Sequence, residues 1–181
     1  MTPSPDNAQA TPAAATPARA VATRRISRGA FAPFGELIEA CEDGVLFGAQ
    51  DAHLDLFAGV PRFYLMRLPR RGLVFRQITR HRLVTQCLAS VGGKSWFIAV
   101  APPGNLDDPR AEPALEAICG FLVPGDVAIK LHKGTWHAGP FFDDEEMSFF
   151  NLELSDTNEV DHHTSYLEKR FGFPFCFAPS A

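Results

Sequence analysis

The chain has 181 residues, 46% of them hydrophobic and 11% aromatic, which suffices to bury one substantial core in a single domain. Its formal net charge is −4 and no basic stripe is interleaved with aromatics, which argues against a nucleic-acid partner. No apolar run approaches the length that spans a bilayer, so no membrane association is expected.

The first 24 residues, MTPSPDNAQATPAAATPARAVATR, are rich in Pro, Ala and Thr and nearly free of large apolar groups. Such a stretch cannot bury enough surface to offset its ordering entropy, which predicts a disordered arm over 1–24 and one folded domain over 25–181. It has neither the basic start nor the continuous apolar stretch of a signal peptide. Cys41, Cys87, Cys119 and Cys176 lie far apart and form no CxxC pair. Reduced thiols in a cytoplasmic protein fit this spacing better than a disulfide framework.

After the arm, Ser27 is placed to cap a short helix in SRGAFAPFG that Pro33 and Gly35 cut off. Short apolar runs then follow, broken by Pro, Gly and Asp: RFYLMRL (62–68), LVFRQITRHRL (73–83), KSWFIAVA (94–101), GDVAIKLH (125–132) and MSFFNLEL (147–154). A helix is expected over PALEAICGFL (113–122), with Pro at its start and Glu116 early in it. The acidic run DDEE (143–146) reads as a solvated loop, and His162–His163 as a turn before a C-terminal helix. Many short strands with little helix predict a mostly β fold, a small barrel or double-sheet sandwich.

Three of the runs carry polar residues in positions that permit chemistry. In a strand over LVFRQITRHRL, Gln77, Thr79 and His81 share one face and Arg80 takes the other. In VAIKLH, Lys130 and His132 share a face opposite Val127, Ile129 and Leu131. A turn at Lys133–Gly134 then folds His137 back beside the strand, with glycine supplying a backbone conformation other residues resist. In MSFFNLEL, Phe149, Asn151 and Glu153 align. Convergence of these runs would line a pocket with His81, Lys130, His132, His137 and Glu153: imidazoles for proton transfer, a cation for a carboxylate and a carboxylate to orient a ring.

The segment Gly125–Asp126 through Gly134-Thr-Trp-His137 resembles the second motif of the cupin barrels, and the places of the first motif fall on Thr79, His81 and Gln86. More specifically, RHRLVTQ (80–86) and LHKGTWHAGP (131–140), joined by WFIAVAPPG, resemble the ureidoglycolate lyase family, as does the opening AFAPFGELIE. The similarity runs from about residue 26 to about residue 165. Thr79 stands where the family usually has Glu, and Ala138–Gly139 separate His137 from Pro140 where the family has a second histidine.

The resemblance implies a cupin-like double-stranded β-barrel, commonly a homodimer, that cleaves ureidoglycolate to glyoxylate and urea in allantoin and purine nitrogen catabolism. It would be a carbon–nitrogen lyase. Nickel is the metal associated with the family; a metal-free pocket is an equal alternative, and an ion, if one is bound, is expected on His81, His137 and Gln86. The residue roles expected are His81 and His137 as base and acid, with Glu153 orienting an imidazole. Lys130 is expected on the substrate carboxylate, with Arg80 joining it only from a bulge, Gln86 on the urea group, His132 as a helper and Trp136 as a pocket wall. Two other readings remain open: the same scaffold acting on another small hydroxy or ureido acid, and a non-catalytic barrel that binds a small acid.

Overall fold

A computed structural model describes residues 16–179. In chain order its elements are β1 (Arg19–Arg25), α1 (Arg28–Phe31), β2 (Gly35–Ile38), β3 (Pro61–Pro69), β4 (Val74–Phe75), β5 (Ile78–Arg80), β6 (Gln86–Ser90) and β7 (Gly93–Ala101). A 3-10 turn (Leu115–Ala117) precedes β8 (Cys119–Gly125), β9 (Ala128–Leu131), β10 (Trp136–Phe141) and β11 (Glu146–Leu154). The chain continues through α2 (Thr157–Val160), β12 (His163–Ser165), α3 (Leu167–Phe171) and β13 (Phe175–Pro179).

The strands form two curled sheets, as expected for a cupin-like barrel. One holds eight strands in the order β12-β5-β10-β7-β8-β1-β13-β4, the other five in the order β2-β9-β6-β11-β3. Trp96, Ile98 and Val100 of β7 meet Ile129, Leu88 and Phe149 of the smaller sheet in the core between them. The alternate β7 residues, Phe97, Ala99 and Ala101, face a second core with Trp136, Leu167 and Phe175 on the outer side of the larger sheet. Strand β7 is therefore apolar on both faces, which is why KSWFIAVA reads as a continuous hydrophobic run.

Three expectations are corrected. Residues 1–15 of the predicted arm lie outside the described residues, but its end is ordered: Arg19–Arg25 is a strand paired in parallel with β13 and β8, burying Val21 and Thr23. The helix expected over 113–122 is one 3-10 turn followed by β8. Tertiary pairing overrides helix propensity there, because Phe121 and Val123 each bury a side chain on β8 between β7 and β1. Gly120 permits that approach, since a Cβ at this position would lie 2.5 Å from Thr23 Oγ1. The run 73–83 is broken into β4, paired with β13, and β5, paired with β10 and β12.

Strand β9 keeps its period of two, but the polar face points out of the barrel. Lys130 pairs with Glu36 of β2 at 2.9 Å and is only 3% exposed, and the other Glu36 oxygen accepts the His53 N–H. Burial alone would raise the Glu36 carboxyl; the Lys130 ammonium and the His53 N–H outweigh it and hold it below its usual value. Lys130→Met should lower stability by about 2 kcal/mol, less than a fully buried pair because Glu36 keeps contact with water. Urea denaturation measures this as a lower midpoint at constant slope; an unmoved midpoint would show the pair to be idle.

Candidate active site

The turn that joins β9 to β10 sets the first half of the site. Gly134 has φ +77°, and its N–H donates to the carbonyl of His81 at 2.5 Å. The positive φ favours glycine, and a Cβ there would also require the Leu106 side chain to move. Thr135 Oγ1 donates to the Phe34 carbonyl at 2.7 Å and anchors the turn to the segment between α1 and β2. Beyond it, period-two alternation on β10 sends Trp136 to the outer core and His137 to the inner face. Strand β5 does the same with Arg80 outward and Thr79 inward, and His81 follows just past its end.

His81 and His137 thereby meet with ring centroids 5.1 Å apart. Each is held by a backbone carbonyl. His81 Nδ1 donates to the Asp161 carbonyl at 2.5 Å, and His137 Nδ1 donates to the Thr135 carbonyl at 3.1 Å. A carbonyl only accepts, so both rings carry their proton on Nδ1 and keep Nε2 as a lone pair. Asp161 is itself fixed, since its carboxylate accepts the N–H groups of Arg82 and Leu83 at 2.8 and 2.7 Å. Burial, with His81 beside it, pushes His137 down to about 3. Burial also lowers His81, opposed by the Asp161 carbonyl and by the charges of Asp161 and Glu153. Both imidazoles are neutral bases near pH 7.

The second half is a closed ring of hydrogen bonds on the smaller sheet. Gln86 Nε2 donates to Glu153 Oε2 at 3.0 Å and to Asn151 Oδ1 at 3.1 Å. Asn151 Nδ2 donates to the Tyr64 hydroxyl at 3.0 Å, and that hydroxyl donates to Glu153 Oε1 at 3.1 Å. Asn158 Nδ2 adds a third donor to the carboxylate at 3.3 Å. The Glu153 carboxylate accepts only, so Gln86 must turn its amide nitrogen toward it. Gln86 Oε1 is then left buried without a donor. A buried carbonyl in that state can accept from a water or from a ligand N–H that reaches it.

Both halves line one cleft of about 690 Å³. Of the residues singled out in the sequence, His81, His137, Gln86 and Glu153 come together in it. Four others do not. Lys130 lies on the outer face of β9, bonded to Glu36 and, at 3.0 Å, to His132 Nδ1. His132 spends its other nitrogen on the Ala32 carbonyl at 3.2 Å and borders only a void behind the histidine pair that has no room for water. Arg80 is fully buried on the far side of β5, where it donates to the carbonyls of Pro103, Asn105 and Asp108 and to His163 Nδ1. Trp136 is packed against that same guanidinium at 4.8 Å and forms no cleft wall. Glu153 reaches Gln86, Tyr64 and Asn158; its bonds orient the amides and the phenol, and none runs to an imidazole.

The sequence reading missed Tyr64, Asn158, Asp161 and His162. His162 lines the cleft with its ring 5.8 Å from His81. Asn151 carried a signal, since it shares the period-two face of Glu153. Tyr64 sits opposite Asn151 only through the β3–β11 register, which one sequence does not reveal.

A protein-family model described as ureidoglycolate lyase matches residues 43–171 of the chain. A ureidoglycolate lyase of Azotobacter vinelandii is 29% identical over 158 residues, which cover 80% of this chain and 92% of that protein. One of Pseudomonas syringae pv. syringae is 27% identical over 76% of this chain and 85% of its own length. One of Burkholderia mallei is 30% identical over 62% of this chain and 69% of its own length.

The His137 environment has a consequence for stability. The folded state binds this proton only near pH 3, whereas an exposed imidazole binds it near the ordinary 6.5. Between those values the unfolded chain takes up the extra proton, so stability falls as pH drops from about 6.5 toward 3, by at most about 1.4 kcal/mol per unit. Denaturation of chelator-treated protein at pH 7, 6 and 5 should show this slope, and His137→Phe should flatten it. An equal slope in the variant would assign the acid lability to other groups.

Proposed function

The chain belongs to the ureidoglycolate lyase family, and we propose that it splits ureidoglycolate into glyoxylate and urea. The supporting observation is the pairing of two carbonyl-tethered neutral imidazoles with a buried, donor-less Gln86 Oε1 in one cleft. The substrate carbon bears a hydroxyl, a carboxylate and the urea nitrogen. Cleavage requires a base for the hydroxyl proton and a proton for the departing nitrogen.

His81 takes the hydroxyl proton on Nε2. Its Nδ1–H stays bonded to the Asp161 carbonyl, which spreads the charge of the transient imidazolium. As the C–O bond becomes a carbonyl, the C–N bond breaks and the nitrogen takes the proton back from His81. The atoms balance with no added reagent: one hydroxyl proton ends on the urea nitrogen. Burial disfavours the imidazolium, so the proton is passed on rather than held. Gln86 Oε1 accepts a urea N–H, and the ring through Asn151, Tyr64 and Glu153 holds the amide in that orientation. His137 stays neutral and confines the substrate against His81.

A divalent ion, nickel by family resemblance, would find two imidazoles and one neutral amide oxygen here. Among the described residues no cluster of three or more His, Cys, Asp or Glu is placed to hold a metal ion. That donor set falls one strong ligand short of the usual three at a catalytic metal, and no step above runs through one.

Urea release by purified protein tests the reading. His81→Gln should lower kcat by about 10²-fold or more. Gln86→Leu should lower kcat/KM by roughly tenfold. Dialysis against a chelator should leave turnover within a factor of two. Wild-type turnover in His81→Gln would remove the proposed base.

We also infer that the protein is a homodimer. Among the described residues strand β3 is an edge of the smaller sheet, and Phe63 and Leu65 on it stand exposed beside Phe150, with Phe63 stacked on Phe150 at 5.4 Å. An apolar edge of this kind invites a second copy. Light scattering should give twice the chain mass for the wild type and a monomer for the Phe63→Glu/Leu65→Glu double variant; a monomeric wild type would exclude the assembly.

A further inference from the structure

With Lys130 on the outside of the barrel, the cleft needs another recognition group for an anionic substrate. Its lining joins two chemistries: His81, His137, Gln86 and Glu153, and beside them Arg70, Arg71 and Arg76. Two of these arginines have counter-ions: Arg70 lies 3.9 Å from Asp143 and Arg76 lies 3.0 Å from Glu168. Arg71 has no carboxylate within 4.0 Å among the described residues. Its guanidinium lies 5.2 Å from the centre of the Phe141 ring instead. The protein around it desolvates the charge and lowers its pKa from the ordinary arginine value. Arg71 keeps an exposed surface on the cleft, so an anion entering there can reach it, and a guanidinium without a counter-ion matches a carboxylate in two bonds.

The position of Arg71 limits its role. Phe141 pairs with Phe97 on β7, and His137 pairs with Val100. Three residues of β7 separate these partners, which is about 10 Å along the strand. A carboxylate on the carbon that reacts at His81 lies a few ångströms from the hydroxyl, well short of Arg71 in its seat on Phe141. The chain as a whole carries a net charge of −4 and repels an anion, so an unpaired cation in the cleft reverses the local field on the approach.

We propose that Arg71 is the anion-capture group of the cleft, which receives the carboxylate of the incoming substrate before it moves to the imidazoles. The identity of that substrate rests on the lyase reading; the capture of a small carboxylate does not. Arg71→Met should lower kcat/KM at low ionic strength by about tenfold or more while kcat stays within a factor of two, and should flatten the fall of kcat/KM with added salt. Arg71→Lys should retain the salt dependence. An unchanged kcat/KM in Arg71→Met, or an equal loss of kcat, would overturn the proposal.

Stopped-flow association of glyoxylate, a small carboxylate, separates this from the lyase reading. Slower association with Arg71→Met than with wild type at low ionic strength supports capture even if the wild type releases no urea. Equal association rates for the two proteins refute capture even if it does.

Discussion

A carboxylate withdrawn from water must be met by donors, and the placement of Glu153 on the inner face of β11 organises the site from that requirement. Only 1% of Glu153 is exposed. Its oxygens are met by an amide from β6, a phenol from β3 and an amide from α2, so it ties three elements together. Because a carboxylate only accepts, it fixes the sense of every bond in the ring and determines which atom of Gln86 is left without a hydrogen-bond partner. The apolar core closes the two sheets; this ring gives the space between them a chemical direction.

The other wall of the cleft is fixed by backbone rather than by side chains. His81 and His137 are each tethered to a main-chain carbonyl, and Gly134 joins the two supporting segments through the His81 carbonyl. Main-chain groups locked in turns and strands move less than side-chain partners, so the two lone pairs are held in place before any ligand arrives. The burial that packs the rings also keeps them neutral, and a neutral ring can act as a base.

Much of this was readable in the sequence through period two. The alternation in MSFFNLEL placed Asn151 and Glu153 together, and the same rule put Thr79 and His81 on one face and Gly134 in the turn before His137. What it left undetermined is which face of β9 is inside. Ile129 and Leu131 take the core, and Lys130 on the other face is met by Glu36 of β2, which lies far away in the chain, a contact with no local signature. The misread helix at 113–122 has a similar origin. Its local pattern is helical, but Gly120 serves a strand crossing beside Thr23, a partner nearly a hundred positions away in the chain. Arg80 misled for another reason: an arginine beside a histidine looks functional, yet the strand turns the two in opposite directions.

That opposition ties two neighbouring positions to different tasks. Arg80 gathers three carbonyls of the 103–108 loop and a ring nitrogen behind the sheet, while the next residue, His81, faces the cleft in front. The loop has no atom in the cleft's chemistry, but its length and path set where the end of β5 comes to rest. Relatives are therefore free to vary the outward tip of that loop, whereas any insertion that shifts its carbonyls must drag an imidazole with it.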